Sequence, residues 1–272
     1  MNKNFKRYGA LLAVALLLVV FCLPMVFALG KSEQSQMLFR GALGAAFLIP
    51  VLAYAIWMVY RLLSGKKKER QSGIENIIFD VGQVLVKYDW ETYLGSFGFD
   101  KNKYEKIADV TFRSSTWNER DRGALEDEEY VKEMVQAAPE YEAEIREIMR
   151  RSAETISPVE YSETWVKYLK NQGYRLYILS NYGSYMLERT RDKFDFLKYM
   201  DGAVFSCDVK QIKPEAEIYK TILNRYHLNP EKSVFIDDRA ENCQGARNAG
   251  IHAIQFKSFK QAAAELEKLG VK

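Results

Sequence analysis

Histidine and cysteine are nearly missing from this chain, at two and three of 272 residues. His227 and His252 have no partner at an informative spacing, so both read as packing or surface residues. Cys207 and Cys243 follow no pattern that fits a disulfide framework or a zinc site, and Cys22 falls inside an apolar run. That usage suits a reducing compartment and makes the cysteines small buried hydrophobes. Charge of one sign is lacking as well. A formal net charge of +3 is too small to point to nucleic acid. The one dense basic run, Lys66 to Arg70, is explained by the apolar segment before it, because cations collect beside membranes. Internal repeats and low-complexity tracts are absent beyond residue 73.

Long apolar runs, by contrast, are present twice. Residues 9–29 and 41–60 carry no charged side chain, and each is about the 20 residues that a bilayer core requires. Both are predicted to be transmembrane helices, together contacting lipid over 9–29 and 41–63. Pro24 and Pro50 are tolerable there, since neighbouring groups in a membrane protein re-satisfy the backbone. Trp57 and Tyr60 mark an interface. Lys3, Lys6 and Arg7 precede the first run and Arg61, Lys66, Lys67, Lys68 and Arg70 follow the second, whereas the connecting segment 30–40 has only Lys31 and Arg40. The positive-inside rule therefore predicts a two-pass hairpin over 1–63 with both termini cytoplasmic. A cleaved signal peptide ending near Val26-Phe27-Ala28 is the rival reading. Its apolar core would be long for a signal, and the second run would still need a membrane.

After a basic linker at 64–73, the remaining chain alternates strand-like and helix-like segments, the signature of a parallel sheet covered by helices. Strands are expected at 74–80, 174–180, 202–206, 233–237 and 251–256, with helices at 183–194, 214–227, 240–249 and 259–269. Between the first two strands lies a helical insertion over 90–157, too long for a crossover. It predicts a cap on a Rossmann-like α/β core formed by 74–89 and 158–272. Four polar groups follow apolar runs: Asp80 after IIF, Ser180 after LYIL, Lys213 in QIKPE, and Asp237-Asp238 after VFI. At the carboxyl edge of a parallel sheet these groups converge on one crevice. A carboxylate can attack phosphorus, a hydroxyl and an ammonium can hold phosphoryl oxygens, and adjacent carboxylates at a buried strand end call for a cation.

The segments FDVGQVLV, ILSN, KPE and IDDRAEN, in this order, resemble the four motifs of the haloacid dehalogenase superfamily over residues 74–256. The insertion falls where the branch with a helical C1 cap carries it. The chain is most similar to the bacterial α-D-glucose-1-phosphatase-like group, and the stretch WNERDRGALEDEEY agrees with that placement. The resemblance implies a Mg²⁺-dependent phosphatase acting on a small phosphorylated metabolite such as a sugar phosphate. It implies that Asp80 is the nucleophile, that Ser180, Asn181 and Lys213 hold the phosphoryl group, and that Mg²⁺ takes ligands from Asp80, the Gly82 carbonyl, Asp238 and Asp237, with Asn242 in support. Trp117, Arg113, Arg120 and Arg122 are the cap residues expected to contact substrate.

One position departs from the commoner pattern. Most phosphatases of this superfamily place a second aspartate two residues after the nucleophile, as acid and base, and here that position is Gly82. Such help is typically worth about 10² to 10⁴ in rate. The glucose-1-phosphatase-like branch carries glycine there too, and Glu119 or Asp121 of the cap could substitute. The change keeps open a membrane-tethered pseudoenzyme that binds a phosphorylated ligand with little catalysis. Haloacid dehalogenase activity is the remoter alternative, because dehalogenases replace the acidic pair at Asp237-Asp238 with small polar residues.

Overall fold

The computed structural model describes residues 22, 24–29, 32–63 and 73–272. The chain divides into two compact units, one before and one after Glu69.

In the first unit a 31-residue helix spans Glu33–Leu63 with Pro50 inside it. At 1.5 Å per residue it is about 46 Å long, more than the ~30 Å of a bilayer core. Its stretch Glu33–Ile56 is the one segment among the described residues long and apolar enough to cross a membrane. Phe47, Val51 and Ile56 are among the large apolar side chains exposed along it. Two expectations change here. The two-pass hairpin is not supported: one such helix is described, and most of the first expected span, 9–29, lies outside the described residues, which include a helical stretch at 24–28. The segment 30–40 is mostly helix and not a linker. Ser32 Oγ accepts the Ser35 N–H at 3.2 Å, and the following EQSQMLFR is rich in residues that lose little rotamer freedom in a helix.

The second unit is built on five parallel strands. β1 is Asn76–Phe79, and two short strands, β2 at Val86–Tyr88 and β3 at Ile156–Pro158, pair antiparallel as a separate ribbon. β4 is Arg175–Ser180, β5 Gly202–Phe205, β6 Ser233–Asp237 and β7 His252–Gln255. The main sheet runs β5-β4-β1-β6-β7, every neighbouring pair parallel. The three central strands read NIIF, RLYILS and SVFID, near-continuous apolar runs, because helices cover both faces of the sheet. Ile77, Ile78, Phe79, Leu176, Ile178, Val234 and Phe235 are fully buried.

The chain leaves β1 towards β4 and β5, then returns to the other side of β1 at β6. Strand order reverses there, so the carboxyl ends of β1, β4 and β6 border the crevice where such sheets bind ligands. Helices Trp90–Gly95, Lys101–Val110, Ser115–Arg122, Asp127–Ala137 and Glu142–Arg150 lie between the two ribbon strands, with their own apolar core around Leu94, Ile107, Met134 and Ile148. The ribbon and the helix Tyr161–Asn171 were not expected. Three-residue strands are too short to show a period, and YSETWVKYLKN follows the insertion with no break in helical pattern.

The helix Ala240–Asn248 packs closely beside the loop holding Lys213. A Cβ at Gly245 would stand 2.8 Å from the Pro214 carbonyl oxygen and 2.8 Å from the Tyr219 ring. Gly245→Ala is therefore expected to cost about 1–3 kcal/mol of stability through overpacking. A urea titration of the full chain measures it, and an unchanged midpoint refutes the close approach.

Candidate active site

Asp80 is the first residue beyond β1, and its backbone N–H donates to the Ile236 carbonyl at 2.9 Å, which fixes it against the neighbouring strand. Ser180 ends β4 and its Oγ donates to Asp80 Oδ1 at 2.7 Å. Lys213 Nζ lies 2.8 Å from the same Oδ1 and 2.6 Å from Asp237 Oδ2. Oδ2 of Asp80 has no hydrogen bond among the described residues.

Asp237, the last residue of β6, is fully buried and uses both oxygens. Asn242 Nδ2 donates to them at 3.0 and 3.1 Å, and the Arg239 N–H reaches Oδ1 at 2.8 Å. Asn242 sits one helical turn on, in the helix Ala240–Asn248, which is why IDDRAEN brings it back onto the strand end. Asn181 lines the cavity, but its amide is already spent. Nδ2 donates to the Lys213 carbonyl at 3.0 Å and Oδ1 accepts the Lys213 N–H at 2.8 Å. The Asn181 side chain thus clamps the backbone of Lys213.

Asp80, Asp237 and Asp238 each bring a carboxylate oxygen within 4.8 Å of the others. Three carboxylates face one ammonium, a surplus of negative charge. Burial pushes the Asp80 carboxyl above its usual range, with Lys213 opposing and Asp237 adding to the rise. Burial, Asp80 and Asp237 push Asp238 up to about 7. Burial alone would lower Lys213, but the attraction of Asp237 and Asp80 outweighs it and holds the ammonium protonated. A divalent cation would neutralise the surplus. The donors are hard oxygens, the set suited to Mg²⁺, which also keeps several waters. Asn242 Oδ1 is buried without a partner on the same cavity wall, where a metal-held water would donate to it. The residues present fit the ion.

A cavity of about 290 Å³ opens over this floor and is closed from above by Trp90, Phe112, Trp117, Asn118 and Asp121. Phe112 and Trp117 pack with centroids 4.9 Å apart, and Tyr88 stacks on Trp117 at 6.4 Å and 13°. Of the four cap residues expected to meet substrate, Trp117 lines this cavity and the three arginines do not. Arg113 pairs with Glu105 and Asp109 at 2.6 and 3.1 Å. Arg120 is buried and forks onto Asp127 at 2.6 and 3.1 Å. Arg122 holds Glu215 at 2.6 and 2.8 Å as well as Glu119. An acid-rich cap offers each of them a carboxylate nearer than the cavity. Tyr88, Gln83 and Met186 line the site unexpectedly. Tyr88 lies in the ribbon, and a three-residue strand gave no signal by which to place it.

A buried ammonium between carboxylates and an acidic cluster at the switch point of a parallel sheet define an α/β protein with its site at the strand ends. The family model of haloacid dehalogenase-like hydrolases matches residues 77–256, and the chain belongs to that family. It is similar to a sesquiterpene phosphatase of Aspergillus oryzae, 23% identical over 71% of this chain and 94% of the relative. A phosphorylated carbohydrates phosphatase of Thermotoga maritima is 43% identical over 25% of this chain and 31% of its own length. A family enzyme from Bacteroides thetaiotaomicron, solved with magnesium and inorganic phosphate, superposes with a TM-score of 0.54 at 22% identity, over 68% of this chain and 96% of that one.

Proposed function

We propose that the protein is a Mg²⁺-dependent phosphatase that hydrolyses a small phosphate monoester through an aspartyl-phosphate on Asp80. The buried cluster in which Lys213 joins Asp80 to Asp237, while Asp238 borders the cavity, carries this reading. Ser180 and Lys213 hold one oxygen of Asp80, so the other presents its lone pair to phosphorus. The same ammonium and hydroxyl are placed to receive the phosphoryl oxygens as charge develops on them. Asp238, Asp80 and the Gly82 carbonyl would hold Mg²⁺, which supplies Lewis-acid stabilisation of the transferring group. Asp237, with both oxygens already engaged, serves to orient Lys213 and Asn242.

The acidic pair at Asp237-Asp238 supports phosphoryl transfer over halide displacement. The aromatic wall of Tyr88, Trp90, Phe112 and Trp117 offers a stacking face for the leaving group, which suits the ring of a sugar phosphate and the glucose-1-phosphatase-like branch. Turnover of p-nitrophenyl phosphate by the full chain tests the activity. Asp238→Ala is expected to weaken Mg²⁺ binding and rate together, and full activity in excess chelator would refute the metal's role.

We also infer a membrane anchor that leaves the domain after it in the cytoplasm. The exposed apolar surface of Glu33–Ile56 and the basic residues around it support that reading. Labelling of single cysteines near Lys272 in intact cells and in lysed cells tests it. Labelling without lysis overturns the orientation.

A further inference from the structure

Gly82 leaves the reaction without its usual proton carrier, and the gap is not steric. A Cβ there would meet nothing within 4 Å, and the backbone is outside the left-handed region. A replacement must therefore border the cavity from elsewhere, carry a proton and have a free oxygen. Tyr182 fails, because its Oη is engaged with Thr190 Oγ1 at 2.8 Å. Glu119 fails, because it is paired with Arg122 and lies off the cavity. Tyr88 Oη is buried without a partner, but burial and Asp121 push it well above its usual range, so it can donate a hydrogen bond and not a proton.

Asp121 meets all three conditions. It lies in the last turn of the cap helix Ser115–Arg122, one turn after Trp117, and both side chains border the same cavity. Its Oδ1 accepts the Gly183 N–H at 3.2 Å, and its carbonyl accepts from Ser206 Oγ, so the residue is pinned to the core from two sides. Oδ2 has no hydrogen bond among the described residues, and the adjacent Arg120 guanidinium is committed to Asp127.

We propose that Asp121 is the catalytic acid and base of this enzyme, supplied by the cap in place of the residue missing at Gly82. The assignment rests on the phosphatase reading above. In the first half-reaction a bond forms from Asp80 Oδ2 to phosphorus as the bond to the leaving oxygen breaks. The Asp121 proton moves to that oxygen and the alcohol departs. In the second half-reaction water attacks phosphorus, one of its protons returns to Asp121, and the bond to Asp80 breaks to give hydrogen phosphate. Tyr88 Oη is placed to donate to the same leaving oxygen.

The surroundings agree with this role. Burial pushes Asp121 up to about 7, with Arg120, the Gly183 N–H and Lys213 opposing the rise and Asp80 adding to it. Tyr88 and Tyr182 are the other titratable groups facing it, and burial raises both. The acid form is therefore present below about 7 and lost above it, which sets the direction of the pH profile.

The full chain in detergent, given p-nitrophenyl phosphate and a simple alkyl phosphate, tests the proposal. Asparagine at 121 is isosteric and still accepts from Gly183, so circular dichroism should be unchanged. Asp121→Asn is expected to lower alkyl phosphate turnover by about 10² to 10⁴. The burst of p-nitrophenolate, whose departure needs no proton, should persist, and the phosphorylated protein should accumulate in intact-mass spectra. The fall in alkyl phosphate rate above pH about 7 should vanish with the variant. Gly82→Asp added to Asp121→Asn should restore alkyl phosphate turnover. Loss of the p-nitrophenolate burst together with alkyl phosphate turnover, or no loss on either substrate, overturns the assignment. If the wild type shows neither burst nor turnover, the phosphatase reading fails and the proposal falls with it.

Discussion

Asp80→Asn is expected to lower turnover by about 10⁴-fold or more, the scale seen when a nucleophile is removed from an enzyme that depends on it. The amide oxygen can still accept from Ser180 and Lys213, which now reach Oδ1 at 2.7 and 2.8 Å, so the local geometry survives. What is lost is the second oxygen's ability to bond phosphorus. The variant also removes one of three carboxylates facing one ammonium, so it should unfold at a urea concentration no lower than the wild type. Steady-state rates and the absence of a phosphorylated species by mass spectrometry measure the outcome. A variant within tenfold of wild type would show that another group attacks phosphorus.

Lys213→Met should damage both catalysis and folding. The ammonium is buried, with its side chain 1% exposed, and is shared by two carboxylates that are themselves out of water. Its removal leaves uncompensated charge in the interior, typically a loss of about 3–5 kcal/mol. Removing one donor from the developing phosphoryl charge costs a further factor of about 10² to 10³ in rate. The two effects separate in a double mutant. Asp80→Asn added to Lys213→Met removes one of the stranded carboxylates, so the pair should be more stable than Lys213→Met alone. Purely additive losses in urea unfolding would show that the residues do not interact.

Much of this site is legible in the sequence. Strands β1, β4 and β6 are buried on both faces and so stand out as apolar runs, and a polar residue closing such a run marks the sheet edge. Asp80, Ser180 and Asp237 were found that way. The Asn181 amide and the three arginines are engaged away from the cavity for a common reason. A short polar motif names the residue types near a ligand but not which of them are spent on one another. Asn181 is spent on Lys213's backbone, and the arginines on acids up to 93 residues away, as with Arg122 and Glu215. Tyr88 and Asp121 reach the cavity only because the ribbon and the cap fold back over it, and that closure has no local pattern in sequence.

The arginine fork joins cap to core at a place that dissolved salt can reach. Arg122 grips Glu215, two residues after Lys213, and both partners are partly open to solvent at 21% and 41% side-chain exposure. Interactions of this kind weaken as dissolved ions screen them, over a Debye length of about 8 Å at 0.15 M and about 3 Å at 1 M. Ionic strength is therefore a handle on this enzyme that acts on the contact between cap and core while the buried Lys213 cluster is screened far less. Added salt weakens this cap-to-core contact and leaves the buried charges in place.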